Sequence, residues 1–338
     1  MPLIICLTPV KNEAWILDLF LRATSRWADH IVICDQGSDD GSREIARTHA
    51  KVTLIDNPSP VFNEPERQRL LLEAGRAISR DALLIALDAD EILSPEWEDH
   101  AEWQRVRACE PGTVIQFRWA NLRPGMTDYW LGGLLDLGFR DDGVSPHVGR
   151  PIHSPRLPKP DGAPRLVCEA IRVLHYRSYD AARMASKHRW YQCWERLNRT
   201  GKDPVTMYRS YHSVEAVPRR KVRRFPAEWM TRYAAQGIDP QGARIEGVYR
   251  WDREVLAWFT THGTAPFRKQ SIWDADWQQL RVSTGSTADV SDPRRWRDRL
   301  AHAWLRRTQF ARRFPLVQLG DWLLRRTWGV DAPLPPGV

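Results

Sequence analysis

Two aspartates separated by one small residue, Asp88 and Asp90, follow the apolar run 82–87 and precede Glu91. Carboxylates at positions i and i+2 can hold a hard divalent cation, and such a cation would neutralise a bound diphosphate. In an open α/β sheet, ligands collect at the carboxyl ends of strands, so these side chains would point into a binding crevice. The triplet alone is weak evidence, because a second Asp-Ala-Asp triplet, 274–276, has no strand before it.

The elements upstream of Asp88 would bring these carboxylates to the edge of a parallel sheet. Buried strands are predicted at 3–8, 31–35, 52–55 and 83–87, and helical spacing occupies 13–26, 39–48 and 64–78. This alternating order predicts parallel strands joined by right-handed crossovers. Gly37 and Gly41 permit a tight turn after the second strand, and Asp39 or Ser38 would cap the helix that follows.

Polar residues recur at the predicted strand ends in three segments, PVKNEAWIL (9–17), ICDQGSDDGS (33–42) and LDADE (87–91). In this order and spacing they resemble the nucleotide-sugar-binding half of a family 2 glycosyltransferase. A later segment, 167–191, is similar to one that carries a glutamate and a histidine in relatives acting on lipopolysaccharide core. The resemblance implies an α/β GT-A (Rossmann-like) fold, with a mostly parallel central sheet flanked by helices. It also suggests a role in cell envelope polysaccharide biosynthesis.

A metal site is the first implication of this resemblance. Asp90 would bind Mn²⁺ or Mg²⁺ directly and His175 would complete the site, since neutral imidazole suits manganese as well as zinc. Asp88, with Ala89, would lie nearer the ribose or behind the metal ligands. The alternatives are a turn-capping role for Asp88, a packed hydrogen-bonded role for His175, and a supporting or solvated position for Glu91.

Catalysis would need a carboxylate that deprotonates the acceptor hydroxyl, because inverting transfer places a base opposite the leaving group. Glu169 is the predicted base, since its spacing before the histidine matches the relatives. Asp136, Asp141 and Asp142, in the preceding loop, are the alternatives, as is a plain surface role for Glu169.

The predicted nucleotide pocket contains Thr8, Pro9, Glu13, Asp35 and Gln36. Most relatives have two successive aspartates after the second strand, and the second recognises uracil; here Gln36 stands in that place. An amide both donates and accepts, so uridine, guanosine and thymidine donors all stay open. Arg69 falls near the arginine that relatives place by the diphosphate, if about three residues are inserted before the strand. A helix-surface position is the alternative.

Composition suits one catalytic domain with a helical C-terminal appendage, since 338 residues with 42% hydrophobic content can bury a full core. We predict a catalytic domain at 1–215, with a nucleotide-sugar half (1–110) and an acceptor half (111–215). A basic, Trp-rich helical region (216–330) and a disordered tail (331–338) would follow. Five cysteines without CxxC spacing favour reduced thiols and a cytoplasmic location. No window approaches about 20 apolar residues, so no membrane span is predicted.

Positive charge is concentrated near the C-terminus. Residues 294–328 contain ten arginines and two aspartates. The net charge of this segment, +8, equals that of the whole chain. Arginine with tryptophan on amphipathic helices is typical of segments that lie in the headgroup region of anionic bilayers. We therefore predict a cytoplasmic protein that contacts the inner face of the cytoplasmic membrane. In the alternative, the aromatic face packs on the catalytic domain and the arginines face water.

These features together predict a metal-dependent, inverting glycosyltransferase of the hexosyltransferase type. It would move a sugar from a nucleotide diphosphate sugar to a hydroxyl of a glycan or lipid-linked acceptor. One alternative is a nucleotidyltransferase, but the Gly-rich basic phosphate loop usual after the first strand of that class is missing. The other is a noncatalytic nucleic-acid-binding protein. Because the positive charge is confined to one Trp-rich segment without a recognised motif, no nucleic-acid partner is expected.

Overall fold

The structure, a computed structural model, describes residues 1–57, 63–150, 154–198 and 200–329. The predicted tail, 331–338, lies outside these described residues. Contacts divide the chain into two compact units. Unit 1 contains Met1–Tyr179 and Arg223–Ile245, and unit 2 contains Asp180–Val222 and the residues from Glu246 onward.

The first part of unit 1 alternates strands and helices. Its strands are β1 (Ile4–Val10), β2 (His30–Asp35), β3 (Val52–Asp56) and β4 (Leu83–Ala86), and its helices are α1 (Leu17–Thr24), α2 (Ser42–Arg47) and α3 (Glu64–Ile78). β1 lies between β2 and β4, β3 lies outside β2, and all three pairs are parallel. Alternate residues of β1 contact apolar clusters on opposite faces of the sheet, which explains its continuous apolar run. The predicted strand and helix order is confirmed.

The sheet continues with strands of both directions. These are β5 (Glu91–Leu93), β6 (Val114–Leu122), β7 (Asp128–Arg140) and β8 (Arg165–His175), with α4 (Ala101–Ala108) between β5 and β6. The strand order is β3-β2-β1-β4-β7-β6-β8-β5. β7 is antiparallel to β4 and β6, β5 is antiparallel to β8, and β6 and β8 are parallel. The sheet is therefore mixed, although the predicted α/β class with flanking helices is confirmed.

The turn after β2 differs from the prediction at one point. Gly41, with φ 95°, occupies the N-cap position of α2, and no side chain caps that helix. Ser38 and Asp39 instead bind Asn12, in the loop after β1: Ser38 Oγ accepts the Asn12 backbone N–H at 2.9 Å, and Asp39 accepts from the Asn12 amide at 2.8 Å. The predicted capping by Ser38 or Asp39 is wrong, because these side chains join the two strand-end loops.

Helices make up most of the chain after β8. They are α5 (Ala181–Leu197), α6 (Pro204–Tyr211), α7 (Ala227–Ala235), α8 (Arg250–His262), α9 (Trp277–Thr284), α10 (Trp296–Thr308) and α11 (Pro315–Thr327). A short strand, β9 (Val222–Arg224), pairs with β7. Among the described residues no helix is both long and apolar enough to cross a membrane.

The helices of unit 2 form two apolar clusters of their own. Cys193 of α5 packs with Val255 and Leu256 of α8, and Val205 of α6 packs with Leu305 of α10. Residues 180–222 therefore associate with the later helices, and the compact units divide the chain after Tyr179. The functional division predicted at residue 215 stays a prediction.

Candidate active site

The ends of β1, β2 and β4 lie at the same edge of the sheet. In the parallel register, Val10 stands opposite Asp35 and Leu7 opposite Ala86. Asp35 is thus the last residue of its strand, and the acidic segment 88–91 begins two residues beyond β4. The structure brings together the three segments that the sequence singled out, with Thr8 and Pro9 buried in the last part of β1.

Glu91 is fully buried and connects the acidic turn to the sheet. Its Oε2 accepts the backbone N–H of Asp88 at 3.0 Å, and its Oε1 accepts the indole N–H of Trp119 at 2.8 Å. Burial raises the pKa of Glu91 to about 7, although the Arg156 guanidinium acts in the opposite direction. Glu91 is therefore a positioning residue for the turn and is not solvated.

Arg156 is the cation of this turn, and the sequence analysis missed it. Its Nη2 donates to Asp88 Oδ2 at 2.6 Å and to Glu91 Oε1 at 3.0 Å, while Nη1 donates to Glu91 Oε2 and to the Ala86 carbonyl. Asp88 is therefore held by an arginine at the strand end, and its predicted place beside the ribose stays a prediction. No spacing in the Pro-rich segment around Arg156 indicates this contact.

Asp90 faces His175, which ends β8. The distance from Asp90 Oδ2 to His175 Nε2 is 3.7 Å. His175 pairs with Glu91 across the β5–β8 ladder, and its ring stacks on Trp119 with centroids 4.5 Å apart. Burial lowers the pKa of His175 to about 4, although Asp90 acts in the opposite direction, so the imidazole is neutral at physiological pH.

Asn121, a further residue that the sequence analysis missed, contacts His175. Its Oδ1 lies 3.1 Å from His175 Nδ1. An amide oxygen can only accept, so this contact favours the tautomer with the proton on Nδ1, which leaves the lone pair of Nε2 on the side of Asp90. A cation bound between His175 Nε2 and Asp90 Oδ2, which lie 3.7 Å apart, would stabilise this arrangement.

The Asp90 carboxylate and the His175 imidazole would hold a metal ion only together with oxygens of a bound ligand. Among the described residues, no group of three or more His, Cys, Asp or Glu side chains is placed to hold a metal ion. Asp90 and His175 supply one oxygen and one nitrogen, and sites that bind metal with nucleotide phosphates commonly use few protein ligands. The other positions would be filled by phosphate oxygens and water.

Asp35 has one carboxylate oxygen in use and one without a partner. Oδ2 accepts the N–H groups of Gly37 and Ser38 at 3.0 and 3.1 Å, and the Arg43 guanidinium at 2.7 Å. Burial would raise the pKa of Asp35, but its hydrogen bonds to Ser38 and Arg43 outweigh that effect and lower it. Oδ1 is buried without a hydrogen-bond partner in the described structure, as expected of an acceptor that a ligand completes.

Gln36 contacts Arg67, and Arg69 lies elsewhere. Arg67 Nη1 donates to Gln36 Oε1 at 3.1 Å, and Arg67 Nε is buried without a partner in the described structure. Arg69 lies on the exposed side of α3, where it binds Glu66 and Glu73. Residues two positions apart in a helix differ by about 200° around its axis, so Arg67 and Arg69 face opposite sides of α3. The structure does not bring Arg69 to the site and brings Arg67 instead.

Glu13 belongs to the loop after β1, beside the turn after β2. Its backbone N–H donates to Ser42 Oγ at 2.9 Å, and its Oε2 accepts the indole N–H of Trp15 at 2.6 Å. The loop after β1 is therefore anchored to the start of α2, and this contact fixes the position of the loop backbone beside the predicted nucleotide pocket.

Glu169 lies on β8, six residues before His175. Its side chain is 61% exposed and binds Arg118, with Oε1 and Nη2 3.2 Å apart. Glu102 of α4 accepts the backbone N–H groups of residues 169–171, where the β6–β8 register shifts. No hydrogen bond links Glu169 to the acidic turn among the described residues, so its catalytic role stays a prediction.

The three alternative bases are engaged in the fold. Asp141 is buried and accepts from Nε and Nη2 of Arg76, and Asp142 accepts the N–H groups of the turn at 144–145. Asp136 binds Gln116, Arg165 and Lys159. Burial would raise the pKa of Asp136, but the hydrogen bonds from Lys159 and Gln116 outweigh that effect and lower it. A carboxylate whose pKa is lowered in this way is a weak proton acceptor.

Residues 6–103 match the family described as glycosyl transferase family 2, so the resemblance inferred from the sequence is confirmed over this segment. The match covers the acidic turn and the Asp35 turn. His175, Asn121, Arg156 and Glu169 lie beyond it.

Solved structures resemble the chain only in part. Two structures of glucosyl-3-phosphoglycerate synthase from Mycobacterium tuberculosis are 17% and 18% identical to it, with TM-scores of 0.24 and 0.26. One is a complex with phosphoglyceric acid, and the other also contains Mn²⁺ and uridine diphosphate. Each match covers 37% of this chain, and 45% and 44% of the synthase chains. A 4-diphosphocytidyl-2C-methyl-D-erythritol synthase is 15% identical, with a TM-score of 0.29 over 41% of this chain and 76% of its own.

Proposed function

We propose that this protein is a metal-dependent, inverting glycosyltransferase of the hexosyltransferase type. It would move a sugar from a nucleotide diphosphate sugar to a hydroxyl of a glycan or lipid-linked acceptor. The observation that carries the proposal is the Asp90–His175 pair at the edge where β4 ends, with Nε2 and Oδ2 3.7 Å apart. Asp90 belongs to the segment that matches the family 2 model, and His175 lies beyond it.

Donor binding would use the groups that the fold leaves unsatisfied. The buried Oδ1 of Asp35 would accept an N–H or hydroxyl of the nucleoside, and Gln36, held by Arg67, would stand beside it. Thr8, Pro9 and Glu13 would form the pocket wall, and Asp88 and Ala89 would lie next to the sugar or ribose.

Mn²⁺ or Mg²⁺ would be held by Asp90 and His175. When bound, the ion would neutralise the charge that develops on the leaving diphosphate. Arg156 and Glu91 keep the turn in place, and Asn121 favours the proton of His175 on Nδ1.

Acceptor activation is assigned to Glu169 in this proposal. The acceptor oxygen would attack the anomeric carbon as the bond to the diphosphate breaks, and the hydroxyl proton would pass to the Glu169 carboxylate. The support is the exposed position of Glu169 on β8, the strand that ends in His175. In this proposal the protein is cytoplasmic, lies on the inner face of the cytoplasmic membrane and binds no nucleic acid.

The test is a thermal-shift screen of the whole protein with UDP, GDP, dTDP, their sugars and the corresponding nucleoside triphosphates, with and without Mn²⁺. A ligand that binds only the native state raises Tm by mass action, so one nucleoside diphosphate should raise Tm in the presence of Mn²⁺. Hydrolysis or transfer from the matching sugar nucleotide would then be measured. A flat response to every nucleotide contradicts the proposal. A response confined to a nucleoside triphosphate would favour a nucleotidyltransferase.

A further inference from the structure

The outward side of α10 carries large apolar side chains. Trp296, Leu300 and Trp304 follow each other at four-residue spacing and therefore form one stripe. All three are exposed, and Trp296 is 66% accessible. The packed side of α10 contains other residues, among them Ala301 and Leu305. Trp296 and Leu300 are thus left over after α10 has packed within unit 2, whereas the Trp304 indole N–H donates to Asp321 of α11 at 3.0 Å.

A second apolar stripe lies beside the first, on α11. It consists of Leu316, Leu319, Trp322 and Leu323, and all four are exposed. A Cβ atom on Gly320 would come within 3.4 Å of three ring carbons of Trp304, so that ring lies directly on α11. This contact joins the two stripes into one surface, here called the α10–α11 face.

The connection between the two helices also exposes large apolar side chains. Phe310 and Phe314 precede α11, and they are 77% and 65% exposed. Isolated apolar residues are common on protein surfaces, but a contiguous patch of this size marks an interaction site.

Acidic residues are absent from the outward side of the segment 294–328. Its two aspartates point inward: Asp321 accepts two hydrogen bonds from Arg209, at 2.9 and 2.7 Å, and Asp298 accepts the indole N–H of Trp328 at 2.7 Å. Five exposed arginines form no ion pair with any acidic residue in the described part of the chain. They are Arg295, Arg297, Arg307, Arg313 and Arg326. The outward surface is therefore apolar and positively charged together.

We propose that the α10–α11 face binds the surface of an anionic phospholipid bilayer. Its tryptophan, phenylalanine and leucine side chains would enter the headgroup region, and the unpaired arginines would bind lipid phosphates. A second copy of the chain would place like charges against each other. A nucleic acid would pair with the arginines but would leave the apolar side chains in water. Only an anionic lipid surface satisfies both halves of the face.

The test is co-sedimentation of the whole protein with vesicles of phosphatidylcholine, with and without phosphatidylglycerol. Binding should require phosphatidylglycerol and should weaken as sodium chloride is raised. The charge variant Arg297→Gln, Arg307→Gln and Arg313→Gln should bind roughly 100-fold more weakly. The apolar variant Trp296→Ser, Leu300→Ser, Leu316→Ser and Leu319→Ser should lose binding.

Matched controls exist elsewhere on the surface. Arg26→Gln, Arg80→Gln and Arg123→Gln remove the same charge from exposed positions, and Val144→Ser, Val148→Ser, Ile245→Ser and Val282→Ser remove exposed apolar side chains. Both control variants should bind vesicles like the parent.

Three outcomes overturn the proposal: a parent protein that ignores anionic vesicles, variants and controls that bind alike, and a dimer that the apolar variant dissociates. The inference rests on the membrane contact included in the proposed function, and because the experiment needs no transfer activity, its failure would leave the proposed transfer reaction untouched.

Discussion

The tripeptide Asp-Ala-Asp occurs twice in this chain, and the structure gives its two copies different surroundings. In the first copy, Asp88 binds the partly buried Arg156 and Asp90 faces a neutral His175. In the second copy, 274–276, the first aspartate binds two arginines and the last one caps a helix. Identical side chains thus serve a candidate metal site in one place and the local fold in the other.

The difference arises from where the neighbouring groups come from. Arg156 is 68 residues from Asp88 in sequence. It reaches the turn because β4, which precedes Asp88, and β8, which follows Arg156, belong to the same sheet. By contrast, Asp276 accepts the N–H of Gln279, three residues away, as any N-cap would. A strand end that meets distant strands collects several polar groups, whereas a helix start uses its carboxylate for its own backbone.

The largest effect should come from replacing one aspartate with asparagine, first in one copy of the tripeptide and then in the other. Asp90→Asn removes the charged oxygen opposite His175, so transfer in the presence of Mn²⁺ should fall by on the order of 10³-fold in kcat/KM. Asp274→Asn, the matched change in the second copy, should leave kcat/KM within a few-fold of the parent. Retained transfer in Asp90→Asn would remove Asp90 from the metal site, and equal losses in both variants would abolish the distinction.

Stability should separate Arg156, the partly buried arginine beside the first copy, from exposed arginines. Arg156→Met leaves the buried Glu91 without its cation, so the free energy of unfolding should fall by about 3 kcal/mol. Urea denaturation followed by circular dichroism measures the loss. Arg69→Met removes exposed ion pairs with Glu66 and Glu73 and should behave like the parent.

A compensating variant sharpens this result. Arg156→Met combined with Glu91→Gln removes both charges, so part of the lost stability should return. A double variant no more stable than Arg156→Met alone would show that Arg156 acts through packing and not through its charge.

Elements with strong local signals were predictable from the sequence. α3 has the predicted bounds because Asn63 accepts the N–H of Glu66 at its start and Pro65 occupies its first turn. α1 begins at Leu17 and not at residue 13, because the Glu13 N–H binds Ser42 and belongs to the loop. Local propensity therefore predicts an element, and tertiary contacts decide where it ends.

The site was predictable only as far as strand ends could be identified. Asp35, Asp90 and His175 follow or end apolar strands, and the structure gathers their segments as expected. Arg156 had no such signal, since its segment has no regular element and its contact depends on the sheet. Arg67 was missed because a two-residue error in helix phase turns a side chain to the opposite face.

Substitution of Glu169 would show whether the candidate site around Asp88 and Asp90 also includes a residue in the middle of β8. Glu169→Gln keeps the shape of the side chain but cannot accept a proton, so kcat should fall by roughly 10²-fold while donor affinity stays unchanged. The measurement pairs transfer kinetics with the Tm shift caused by the donor nucleotide. Asp136→Asn is the control and should retain kcat. Loss of nucleotide binding in Glu169→Gln would assign Glu169 to the donor pocket, and unchanged kcat would remove it from catalysis.

The smallest effect concerns Asp276 of the second copy. Its Oδ1 accepts the Gln279 N–H at 2.9 Å at the start of α9. Asp276→Ala removes this cap and should lower the free energy of unfolding by about 1 kcal/mol, whereas Asp276→Ser keeps an acceptor and should restore most of it. Neither variant should change kcat/KM or the Mn²⁺ dependence of nucleotide binding, because the carboxylate serves only its own helix. A change in Mn²⁺ dependence would mean that the second copy also binds metal, and the contrast with Asp90 would fail.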